Sequence, residues 1–149
     1  MLYNLQKAIM DKYNSTSGDT LRGLVLGLWE DEAPSSIVLE TQKGESLKEQ
    51  PKPFLTFSTI LTDLEQDACS NMFLPLVQFT IHGDANNKSS LGLLQVGDEF
   101  LSVFGDELLS MDNGYTMIRS DTVGQSKFKD IDKMWIIIYE IQYMVEKDR

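Results

Sequence analysis

His82 and Cys69 are the only histidine and the only cysteine, so reactive chemistry here would rest mainly on carboxylates and hydroxyls. His82 stands in His82-Gly83-Asp84, with Ser89 and Ser90 a few residues on. A general base needs a nucleophile within reach and a pocket around both. No nucleophile-elbow pattern accompanies it, and a structural or surface role is expected. Cys69 alone forms no internal disulfide, and a Cys/His metal site lacks its other ligands. It reads as a small, buried or half-buried thiol. Asp63, Glu65 and Asp67 alternate as a calcium loop does, but Ala68 stands where the sharp turn needs Gly, and no Glu closes the loop. These acids, like Asp130 and Asp132, read as solvated. Gly92 and Gly97 lie five apart without a following Gly-Lys-Ser/Thr, so they form no phosphate loop. No catalytic, cofactor or metal constellation emerges, and the expectation is a protein that is not an enzyme.

Charge narrows the partners. The net charge is −10, from 23 acidic and 13 basic residues. The basic residues are scattered; Lys127, Lys129 and Lys133 come nearest to a cluster and are interrupted by Asp130 and Asp132. Phosphate neutralisation needs clustered Lys and Arg, so nucleic-acid binding is not expected. An acidic surface serves solubility, and it also fails to hold DNA that passes nearby. At 149 residues, one domain is expected, with a core large enough to fold without disulfides or metals. Met1 to Tyr13 holds Lys7, Asp11 and Lys12, unlike a signal peptide. The longest apolar run, Trp135 to Tyr139, is too short for a membrane span. No membrane association is expected, and assembly in the cytoplasm follows.

The elements follow from periodicity. Leu2, Leu5, Ile9 and Tyr13 make one face of an opening helix that ends near Asn14, in loop-forming Asn-Ser-Thr-Ser-Gly-Asp. Leu24 to Trp29 reads as a strand stopped by Asp31, Glu32 and Pro34, and Ile37 to Thr41 as a further strand. Residues 42–52 are polar and read as an exposed loop. Pro53 to Leu61 and Pro75 to His82 read as strands, the second with Val77, Phe79 and Ile81 on one face. Thr62 to Phe73 reads as their connection. After a capping turn at Gly83 to Asn87, a helix runs to about Phe104. Its stripe is Leu93, Val96, Phe100 and Phe104, widened by Leu94, Leu101 and Leu108. Gly105 reads as a left-handed C-cap, and Gly92 and Gly97 as points of close approach to a sheet. A turn at Asp112-Asn113-Gly114 precedes a strand Tyr115 to Thr122. A polar link, Asp121 to Asp132, leads to a closing strand from Met134 to Val145, apolar on both faces at its start and so central. The expected class is α+β: a single antiparallel or mostly antiparallel sheet with two main helices on one face.

This layout resembles the phage tail terminator, or tail completion, family across nearly the full chain. The resemblance is carried by the opening helix, Leu2-Tyr3-Asn4-Leu5-Gln6-Lys7-Ala8-Ile9, and by Trp29-Glu30-Asp31-Glu32-Ala33-Pro34 before Pro53-Phe54-Leu55-Thr56-Phe57. It is carried also by Val77 to Asp84 running into Leu91 to Phe104, and by the closing strand from Trp135 to Val145. The resemblance implies one domain over residues 1–149 that forms a ring, usually of six subunits, on the last ring of the major tail tube protein. There it would end tube polymerisation and present a joining surface to the head–neck connector protein. DNA would pass through without specific binding, and the protein would reside in the virion tail. Polar length marks Lys43, Glu45, Lys48 and Glu49, with Gln125, Lys127, Lys129 and Asp130, as candidate contacts to neighbouring subunits or the tube. Two other readings stay open: a head–tail adaptor or stopper, and a small cellular ligand-binding α+β domain.

Overall fold

The computed structural model describes residues 1–38, 52–64, 71–83, 91–129 and 134–148. The chain opens with helix α1 (Leu2–Asn14), a 3-10 turn (Thr16–Gly18) and a short helix α2 (Asp19–Leu24). Strands β1 (Leu28–Glu30), β2 (Phe54–Leu64) and β3 (Met72–His82) precede helix α3 (Leu91–Phe104), and β4 (Tyr115–Lys129) and β5 (Trp135–Lys147) follow it. The strands form one sheet in the order β1-β2-β3-β5-β4. It is antiparallel except where β1 runs parallel to β2. The class is therefore α+β with a mostly antiparallel sheet.

Alternation along the strands decides which face is buried, because successive side chains point to opposite sides. Phe57, Phe79 and Tyr139 lie side by side in register, as do Leu55, Ile81 and Ile137. All six belong to the core, together with the apolar stripes of the helices. On α1 the stripe is Leu5, Ala8, Ile9 and Tyr13, while the expected Leu2 is exposed at the first turn. On α3 it is Leu93, Val96, Phe100, Val103 and Phe104. Phe79 and Tyr139 meet this helix through rings, with Phe79 5.0 Å from Phe100 and Tyr139 5.1 Å from Phe100. Gly97 makes the approach possible: a Cβ there would sit 2.3 Å from the Tyr139 hydroxyl. Among the described residues nothing comes within 4 Å of a Cβ built on Gly92, so of the two expected close approaches they show the one at Gly97.

Several boundaries differ from expectation, each for a local reason. The loop expected from Asn14 to Asp19 tightens into the 3-10 turn and continues as α2. Arg22 holds this corner by donating to the carbonyls of Tyr13 and Ser15, the latter at 2.7 Å, and by pairing with Asp19. The strand expected from Leu24 to Trp29 shrinks to Leu28–Glu30, since Leu24 closes α2. Ile37 and Val38 are helical rather than extended, both amides bonding to the Pro34 carbonyl. Gly105 is not the left-handed residue after α3; Asp106 is, at φ 54°. Gly105 instead lies against Leu101, whose carbonyl oxygen would stand 2.6 Å from a Cβ. Leu108 is 54% exposed and does not extend the stripe, because the helix has already ended. The link expected from Asp121 is the second half of β4, paired to β5 as far as Lys129. Its polar side chains suit an edge strand with little cover on either face. β5 is internal as expected, but Ile136 and Ile138 on its other face are only half-buried.

Two corners of this fold yield predictions. A Cβ on Gly18 would meet the Tyr13 carbonyl oxygen at 2.1 Å, whereas one on Gly23 meets nothing. Gly18→Ala should therefore cost about 1–3 kcal/mol through forced backbone movement. Gly23→Ala, on an exposed helical position, should stabilise by about 0.5–1 kcal/mol. Urea unfolding of both variants checks the pair. The second concerns Tyr143, which is fully buried with its hydroxyl unpartnered among the described residues. Burial holds that hydroxyl protonated far above the ordinary tyrosine value of 10.0. Tyr143→Phe should gain about 1 kcal/mol by removing an unpaired polar group. Above pH 10.0 the unfolded chain releases this proton while the folded chain keeps it, so stability falls as pH rises. Denaturation at pH 7 and pH 11 should show a smaller loss in Tyr143→Phe than in the parent.

Candidate functional site

Helices α1, α2 and α3 all pack on one face of the sheet, and the opposite face is free of these three helices. There the register aligns Phe54, His82, Ile136 and Phe128 in a row across β2, β3, β5 and β4. The next row is Thr56, Thr80, Ile138 and Ser126. Phe54 is only 4% exposed, yet it lies outside the main core cluster. His82 stacks on its ring at 4.3 Å, and Trp29 meets it edge-on at 6.4 Å. The Trp29 ring lies over Gly27, where a Cβ would stand 2.5 Å away.

Beside Phe54 the chain folds back over this face. Asp31 adopts φ 60° and donates its amide to the Phe57 carbonyl at 2.8 Å, while Glu32 donates to Glu30 at 2.7 Å. The reversal brings Asp31, Glu32, Ala33, Ser35 and Val38 around a cleft of about 450 Å³, floored by Phe54, Thr56 and His82. A non-glycine residue held in the left-handed region needs support from its surroundings, and the two amide bonds provide it. A second cleft, about 500 Å³, lies between Tyr3, Gln6, Lys7 and Met10 of α1 and the β1 edge.

The first cleft contains the lone histidine, so its chemistry can be stated. The His82 Nε2 and Thr56 Oγ1 stand 3.0 Å apart, the spacing of a hydroxyl and a base. Thr56, however, is 8% exposed and sits in a strand paired on both sides, with Trp29 and with Thr80. Its flanking amides belong to the sheet's ladders, away from any position where they might stabilise an oxyanion. The pair instead orients the imidazole flat against Phe54. The cleft is lined by apolar residues, by hydroxyls and by two acidic residues, Asp31 and Glu32. That suits an apolar group presented beside positive charge. Among the described residues, no group of three or more His, Cys, Asp or Glu could hold a metal ion. No helix among them is long and apolar enough to cross a membrane.

Of the expected contact residues, Gln125, Lys127 and Lys129 lie exposed on β4, the sheet's edge strand. The lysine ammonium groups stand 5.5 and 5.0 Å from the centre of the Trp135 ring. Lys43, Glu45, Lys48, Glu49 and Asp130 lie outside the described residues, as do Cys69, Glu65, Asp67, Ser89 and Ser90. Asp63 falls within β2. Sequence reasoning did not single out Phe128, and it took Asp31 and Glu32 as a strand stop within the acidic segment that carries the family resemblance, with Phe54 in the strand after it. Phe128, an aromatic between two lysines in a polar stretch, was the available signal.

No family profile matches the sequence, and no curated protein matches it. Among solved structures, a chain described as "Virion of native gene transfer agent (GTA) particle" aligns over 97% of this chain and 96% of its own. The identity is 12% and the TM-score 0.62. A second structure aligns over 99% of this chain and 94% of its own, at 12% identity and a TM-score of 0.50. At such identities the likeness is one of fold, and it spans the chain nearly end to end.

Proposed function

We propose that this chain is a phage-type virion structural protein of the tail terminator kind, acting by binding rather than by catalysis. The single observation that carries the reading is the end-to-end fold likeness to a chain of a gene transfer agent virion, at a TM-score of 0.62. In this reading copies close into a ring, as six subunits do in the family it resembles, on the last ring of the tail tube. The ring stops the tube from growing and offers its far side to the head–neck connector. Charge supports it. At −10 per chain, a ring accumulates negative charge with every subunit, and an acidic passage repels phosphates and lets a genome slide. The surface chemistry supports it too, since the His82–Thr56 pair is committed to orienting a ring rather than to an exposed nucleophile.

Two outcomes follow. Electron microscopy of particles from a strain lacking this gene should show tails longer than normal, because nothing ends tube growth. Filled heads that leak DNA or lack tails would place the protein on the connector side, and normal particles would refute both placements. In solution, the purified chain should show no saturable binding to double-stranded DNA at low salt up to on the order of 100 µM, the weak end of non-specific affinities. Tight binding in a fluorescence anisotropy titration would remove the charge argument.

A further inference from the structure

The two edges of the sheet are made of unlike material. At one edge lies β4. Its first half is closed to partners: Asp106 accepts a hydrogen bond from the Thr122 amide at 2.8 Å, and the register shifts at Met117/Arg119 and at Thr122/Gly124. From Gly124 to Lys129 the register runs unbroken, and no strand among the described residues pairs with its outer side. Phe128, 43% exposed, projects there on the face opposite α1, α2 and α3, since it pairs with Ile136. Lys127 pairs with core residue Ile137, so Lys127 and Lys129 lie on the helix-bearing face. At the opposite edge lies β1. Glu30 pairs with core residue Phe57 and so lies on the helix-bearing face. Asp31 and Glu32 line the cleft over Phe54, on the face opposite α1, α2 and α3.

Each feature of one edge thus has its complement on the other. An apolar ring stands on the side of β4 away from α1, α2 and α3, and an apolar cleft opens on the same face beside β1. Two cations lie on the helix-bearing face of β4, and an acid lies on the same face of β1. Register places both at one end of the sheet, since Leu28, Leu55, Ile81, Ile137 and Lys127 form a continuous cross-strand line. Direction agrees as well. Following the pairings across the sheet, β4 runs antiparallel to β1, so a copy displaced sideways extends the sheet with an antiparallel pair.

We propose that copies of this chain join head to tail, the β4 end of one seating Phe128 in the cleft beside β1 of the next, with Lys127 and Lys129 facing Glu30. The inference rests on the reading of the chain as an assembly subunit, and it names the contact by which that assembly closes. A heterologous contact of this kind gives a ring when its rotation closes. It also covers the exposed edge that an unpaired strand would otherwise present for aggregation. The charge pattern selects a second copy as partner: the basic strand end belongs to a chain of net charge −10, whose own opposite edge supplies the acids.

The test is photo-crosslinking of the full chain with p-benzoylphenylalanine in place of Phe128, using mixed isotope-labelled and unlabelled protein at high concentration. Crosslinks between copies should fall on residues 31–38 and on Phe54 or His82. Glu30→Lys should lower their yield roughly tenfold, the scale of one strong contact, and pairing it with Lys127→Glu and Lys129→Glu in the other copy should restore it. Circular dichroism of each variant should match the parent, because all the substituted positions are exposed. Crosslinks confined to other regions, or no crosslink between copies, would overturn the proposal. That failure stays separable from failure of the assembly reading: overlong tails in the deletion strain would then point to subunits that join through another surface.

Discussion

Gly97 lets α3 lie down on Tyr139 without a side chain between them, and this close approach governs where the other elements can go. Phe100 and Phe104 then reach Phe79, the middle residue of a three-strand row completed by Phe57 and Tyr139. Once α3 occupies the centre of that face, α1 and α2 fill the space beside it through Leu5, Ile9, Tyr13 and Leu21. The helix that covers the sheet thereby fixes which side of every strand is core and which is surface.

The same constraint explains what alternation could reveal. Val77, Phe79 and Ile81, and likewise Ile137, Tyr139 and Ile141, alternate because one side is under helices and the other is not, so β3 and β5 were legible. The α3 stripe was legible for the matching reason, since its inward positions must be apolar at helical spacing. The second half of β4 was not. Near a sheet edge with little cover on either face, polar residues such as Gln125, Ser126 and Lys127 carry no period, and a strand looks like a linker. α2 escaped for a different reason: six residues are too few to show a helical period, and its corner depends on Arg22 reaching back to carbonyls of α1. The reversal at Asp31 was equally hidden, because it depends on amide bonds to Phe57 and Glu30.

With α1, α2 and α3 on one side only, the sheet carries Phe54, His82, Ile136 and Phe128 on the other. Among the described residues, the segment after β1 covers the Phe54 end of that row. The sequence leads one to expect a structural or surface role for His82, and the geometry stacks its ring on Phe54 at the floor of a cleft. Gln125, Lys127 and Lys129 stand out in the sequence by polarity alone, while strand register is what sets Phe128 on the same face as the cleft floored by Phe54. The edge and face that these residues occupy are set by strand register, and spacing along the chain says little about either.

Cryo-electron microscopy of intact particles produced with this protein present should show this fold as a closed ring of identical subunits at the head-proximal end of the tail tube, with the two sheet faces oriented alike in every copy. A particle whose density lacks the fold, or a purified chain found instead to turn over a small molecule, would contradict the assembly reading.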